Sequence, residues 1–158
     1  MTAKKQRVPS GTPRWSSNLV HEVAFFQRHP NDDPSEPSPG YDAYMLWPPG
    51  VRAKANAVLS HVAQSPPKRV VGGGYWEVMK DEMAGWYEVR VDGPSRHHYR
   101  IYCLLDDTAL NFSKPLIAVI DARDKEFLTE LDKKEYRAVR TLGNEYLSRN
   151  PRSLKTEK

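Results

Sequence analysis

The chain has 158 residues, 39% of them apolar, with a formal net charge of +4 and a mean hydropathy of −0.72. That length supports one domain with a real core, and no apolar run nears the ~20 residues that a membrane-spanning helix needs. The modest positive excess permits an acidic partner without demanding one. The lone cysteine, Cys103, rules out a disulfide framework within the chain and points to a reducing cytoplasm.

Residues 1–18 are polar and basic, with Pro9 and Pro13, and read as a loose arm. No hydrophobic stretch follows directly, so they do not read as a secretory signal. Leu19 to His29 fits either a strand (Val23, Phe25, Phe26) or a short helix. Strand is preferred, because Val and Phe dominate and Pro30 follows. Pro30 to Gly40 is dense in proline, acid and serine and reads as an exposed loop. Its paired acids, Asp32 and Asp33, are taken as solvated rather than metal-binding. Tyr41 to Trp47 predicts a turn or two of helix, broken by Pro48-Pro49-Gly50. Val51, Ala55, Val58, Leu59 and Val62 then mark one face of a helix over 51–63, stopped by Pro66-Pro67. Gly72-Gly73-Gly74 lacks the spacing of a phosphate-binding loop and is expected to give a flexible approach to a sheet.

The organising stretch is Gly85 to Leu105. Its first run, Trp86 to Asp92, alternates, with Tyr87, Val89 and Val91 on one side and Trp86, Glu88, Arg90 and Asp92 on the other. Asp92-Gly93-Pro94-Ser95 supplies the turn, with Gly93 expected to take the positive φ. The second run, Tyr99 to Leu105, is apolar on both faces, as a covered central strand is. This hairpin places Arg90 close to opposite Arg100. Two facing guanidinium groups repel, so the pair makes sense if an anion lies between them. Leu116 to Asp121 predicts an interior strand that exits into a charged stretch at Arg123 to Glu126. Asp132 with Glu135 resembles a capping box for a last helix, carrying Tyr136, Val139, Leu142, Gly143, Tyr146 and Leu147 on one stripe and ended by Asn150-Pro151. Residues 151–158 are expected to be a solvated tail. The sum is an α+β domain over 19–150, a small antiparallel sheet with helices on one face.

For chemistry, the five histidines are scattered, and adjacent His97 and His98 point to opposite faces of a strand, so no metal site or cofactor is expected. There is no nucleophile–histidine motif. What remains is positive charge interleaved with aromatics: Arg90, Arg96, His97, His98, Tyr99, Arg100, Arg123 and Lys125, with Trp86 and Tyr87. Arginine clamps phosphate and aromatic faces stack on unpaired bases. The competing reading is that these arginines only pair with Glu88, Asp92, Asp121 or Asp124.

Gly85-Trp86-Tyr87-Glu88-Val89-Arg90, Tyr99-Arg100-Ile101-Tyr102, Leu116 to Lys125 and Glu135 to Leu147, in that order and spacing, resemble the RelE/ParE toxin superfamily, close to its HigB-type, phage-derived branch. Pro48 to Pro67 is similar to the helix before the sheet in that branch. The chain departs from the pattern at Asp121-Ala122-Arg123-Asp124-Lys125 and in its Pro30 to Gly40 insertion. The resemblance implies a RelE-like fold and the toxin of a type II toxin–antitoxin pair. Such a toxin is a cytoplasmic, metal-independent endoribonuclease that cuts mRNA, with or without the ribosome, and is neutralised by a small helix-turn-helix antitoxin. In that scheme Arg90 and Arg100 stabilise phosphate, His98 is the candidate base, and Arg123 and Lys125 add positive charge. Trp86, Tyr87, Arg96, Tyr99 and Lys80 are candidate substrate contacts, with Tyr87 and Tyr99 also possible proton donors. The alternatives are a gyrase-binding toxin that cuts nothing, as on the ParE side, or a chain that only binds RNA.

Overall fold

The computed structural model describes residues 20–126 and 133–156. The basic arm, Leu19, Asp132 of the capping box and the last two tail residues lie outside that range. The elements in order are β1 (Glu22–Phe25), α1 (Pro39–Met45), α2 (Pro49–Gln64), β2 (Trp76–Val78), β3 (Tyr87–Gly93), β4 (His97–Asp106), β5 (Leu116–Glu126) and α3 (Lys133–Leu147). The fold is α+β. Its sheet is five-stranded in the order β1-β5-β4-β3-β2, and it is mixed rather than purely antiparallel. β1 runs parallel to β5, and the other pairs are antiparallel. A parallel pair needs a long crossover, which α1 and α2 begin.

Helices lie on both faces of the sheet, not on one. Val51, Ala55, Leu59 and Val62 of α2 and Tyr44 of α1 pack with Val89, Val91, Ile101, Cys103, Ile117 and Val119. Val139 and Tyr146 of α3 pack with Phe26, Trp86, Tyr102, Ala118 and Ile120 on the other side. The cause is in β4 and β5: apolar on both faces over Ile101–Leu105 and Leu116–Ile120, they require cover on both. Pro48-Pro49-Gly50 separates α1 from α2 as expected, and Pro49 also opens α2 as its first residue, where a missing N–H costs nothing. The β3–β4 turn also differs from expectation. Gly93 is extended at φ −109, and the positive φ falls on Ser95 and Arg96. Gly93 is needed for space instead, since a Cβ there would come within 2.5 Å of the Tyr99 ring and 2.9 Å of Val51. The Gly72–Gly74 stretch leads into β2, a strand the sequence pattern did not reveal, and Gly72 N–H donates to the Trp76 carbonyl at 2.8 Å.

Two segments expected to be solvated are held down. Asp32 and Asp33 of the proline-rich loop pair with Arg149 at 2.8 Å and Arg28 at 3.2 Å. In the tail, Leu154 forms a bridge with Phe26 beside β1. The Arg152 guanidinium is buried and donates to Asp106 at 2.8 Å. Asp106 also accepts from Tyr146 Oη at 2.6 Å and from Thr108 N–H at 3.0 Å. Burial pushes the Asp106 carboxyl up, but these donors outweigh it and hold it below the ordinary range. Asp106 therefore contributes stability that is complete above the usual aspartate range and is lost as pH falls through its depressed value. Arg152→Met leaves that carboxylate buried without its counter-charge. It should cost about 3–5 kcal/mol in denaturant unfolding at pH 7, with the deficit shrinking in acid as Asp106 protonates.

Candidate functional site

The β3–β4–β5 register builds three cross-strand rows on the α3 face of the sheet. Arg90 stands opposite Arg100, and Arg100 opposite Arg123. On one side of this row lie Glu88, Tyr102 and Asp121, and on the other Asp92, His98 and Lys125. Strand alternation puts residues two apart on the same face, so all nine positions share it. The expected Arg90–Arg100 pair is present. Arg123 joins it because β5 does not end at Asp121 but continues to Glu126, pairing its charged half with β4. Three arginines directly opposite one another are unfavourable for the sheet alone.

Carboxylates moderate that repulsion. Glu88 Oε1 lies 3.3 Å from Arg90 Nε and 3.9 Å from Arg100 Nε. Arg100 Nη1 is 3.8 Å from Asp92 and donates to the Tyr99 carbonyl at 3.0 Å. Arg123 Nε donates to Asp121 at 3.0 Å, and its Nη1 is 3.7 Å from Glu135, which binds Lys125 Nζ at 2.9 Å. Asp124 is different: it faces His97 at 2.6 Å on the other side of the sheet. Burial, then the charge of Arg90, lowers the proton affinity of Arg100. Burial raises the Glu88 and Asp121 carboxyls despite their arginine neighbours. Two of the compensating negative charges are thus weakly held. His98 Nδ1 is 2.6 Å from Asp92 Oδ1, and this bond, first among the causes, lowers the Asp92 carboxyl. Nδ1 donates in it while Asp92 is ionised.

Not all the residues singled out from the sequence join this face. Tyr99 is buried on the opposite face, its ring 4.9 Å from Trp47. Tyr87 is also on that face, stacked on Trp76 at 5.4 Å. Trp86 lies on the α3 side but under the helix, where a Cβ on Gly143 would come within 2.4 Å of its ring. These three aromatics serve the core, and neither tyrosine is placed to donate a proton beside the arginines. Arg96 sits in the β3–β4 turn. Lys80 does border the site, lining with Arg90, Glu88, Tyr136 and the acids Glu77, Asp81 and Glu82 a cleft of 330 Å³. A second hollow of 440 Å³ is lined by Asp121, Arg123, Lys125 and Glu135. Glu88, Tyr102 and Glu135 escaped sequence reasoning as site residues. Glu88 was readable two positions before Arg90 on the same strand face. Tyr102 and Glu135 carried no such signal, since one reads as core and the other as a helix cap.

Among the described residues, no group of three or more His, Cys, Asp or Glu could hold a metal ion, and no helix is long and apolar enough to cross a membrane. A raised carboxyl gives stability that is complete below the unfolded value and lost as pH rises through the folded one. Glu88→Gln, which mimics the protonated form, should therefore raise the melting temperature near neutral pH, with the gain vanishing as pH falls below about 4.5. Thermal melts across pH 4–8 check this. Comparison of the chain with protein-family models, curated proteins and solved structures returns no match.

Proposed function

We propose that this chain is a cytoplasmic, metal-independent endoribonuclease, the toxin of a toxin–antitoxin pair, with the scissile phosphate of mRNA seated on Arg90, Arg100 and Arg123. The observation that carries the reading is the three-arginine row, a like-charge arrangement that sheet formation disfavours and an anionic ligand rewards. In the reaction the RNA 2′-oxygen forms a bond to the adjacent phosphorus and the bond to the 5′-oxygen breaks. The products are a 2′,3′-cyclic phosphate and a 5′-hydroxyl. Arginine donors stabilise the charge gathering on the phosphorane oxygens. His98, oriented by Asp92, takes the 2′-proton. Glu88, which burial holds toward its protonated form, gives a proton to the departing 5′-oxygen. A general base and a general acid are what this chemistry requires. The same cations attract carboxylates, so a helical, acidic segment of a small helix-turn-helix antitoxin would neutralise the face.

A second reading has an observation of its own. Each arginine of the row already has a carboxylate within 4.0 Å, which suits arginines that only pair within the sheet, or a chain that binds RNA or gyrase without cutting. Single-turnover cleavage of mRNA, with and without ribosomes and in EDTA, separates the two. Arg100→Ala and Arg90→Ala should each lower the rate by roughly 10²–10³, and His98→Ala by roughly 10²–10⁴, with folding intact. Full activity in both arginine variants would move the site elsewhere. Loss of cleavage in EDTA would remove the metal-independent mechanism.

A further inference from the structure

Tyr102 is 0% exposed, and its hydroxyl has no hydrogen-bond partner among the described residues. A buried, unsatisfied hydroxyl is costly and calls for an explanation. The hydroxyl stands among the charges of Glu88, Arg100 and Arg123, with the Tyr136 ring edge-on to its own at 6.3 Å. In register, Tyr102 lies between Glu88, which lines the first hollow, and Asp121, which lines the second. The two hollows are divided by the first turn of α3: Tyr136 borders one and Glu135 the other. Glu135 places its carboxylate on Lys125 and against Arg123, where a phosphate would make the same contacts.

We propose that Arg123, Lys125 and the Tyr102 hydroxyl form a phosphodiester subsite that Glu135 occupies in the free protein, and that RNA displaces the Glu135–Tyr136 turn to reach it. The inference rests on the reading of the arginine face as an RNA site and adds a second phosphate position to it. Turning the two side chains away joins the hollows into one groove along the arginine row. Tyr102 then lies on its floor, and its hydroxyl donates to a phosphate oxygen. Glu135 acts as a tethered competitor, which keeps Arg123 and Lys125 paired until a polyanion arrives.

The probes are inorganic phosphate and a 2′-O-methylated oligoribonucleotide, which binds but cannot be cleaved, each titrated against the full chain. Tyr102→Phe removes one oxygen and no packing. It should weaken oligonucleotide binding roughly 10- to 100-fold, the scale of a hydrogen bond to a charged group, while thermal stability holds or rises. Glu135→Gln should tighten both probes by about two- to fivefold. Unchanged binding in Tyr102→Phe, or no gain in Glu135→Gln, overturns the inference. A wild-type chain that binds the oligonucleotide with these responses yet cleaves no RNA would sink the nuclease reading and leave the subsite standing.

Discussion

The structure depends on the pairing of β4 with β5. Their inner halves, Cys103–Leu105 against Ile117–Val119, carry apolar side chains on both faces. A strand pair of that kind cannot face water on either side, so α1 and α2 must cover one face and α3 the other. The pairing runs on past the cover. Beyond the bulge at Tyr102/Cys103, the ladder continues through Arg100–Arg123 to His97–Glu126. The candidate site is this overhang: sheet geometry without a helix over all of it, where backbone pairing lines up side chains that would otherwise repel.

The same two ingredients, a carboxylate and an arginine, give opposite results at two places. Asp106 receives short bonds from Arg152, Tyr146 and Thr108, which outweigh its burial and hold it ionised. Glu88 has two arginines near it, but at 3.3 and 3.9 Å, and burial prevails. The first arrangement fastens the C-terminal segment to the sheet. The second leaves a carboxyl reluctant to ionise in the midst of cations, a poised state suited to chemistry rather than to stability. Distance and donor number, not residue type, separate the two cases.

The elements of the fold were largely legible. Alternation in Trp86 to Asp92 and the i, i+4 stripe of Val51, Ala55 and Leu59 follow from local backbone periods of two and 3.6. So did the Arg90–Arg100 pairing, because a tight turn sets register between neighbouring strands. Which aromatics would face the arginines was partly legible too: Tyr87 and Tyr99 sit one position out of phase with Arg90 and Arg100, and alternation alone sends them to the other face.

The sequence by itself determined most of the strands and helices, though not β2 or the outer half of β5, and that β4 would be buried on both sides, since these depend on hydrophobic period and turn chemistry along the chain. Only the tertiary structure decided the rest. The parallel placing of β1 beside β5, the descent of α3 onto the second face and the docking of Arg152 on Asp106 join residues distant along the chain. No local pattern encodes such a choice of partner. The same holds for the site. Arg123 becomes the third member of a row, and Glu135 its neighbour, only when β5 and α3 are packed, because charge and burial at a point are sums over everything that surrounds it.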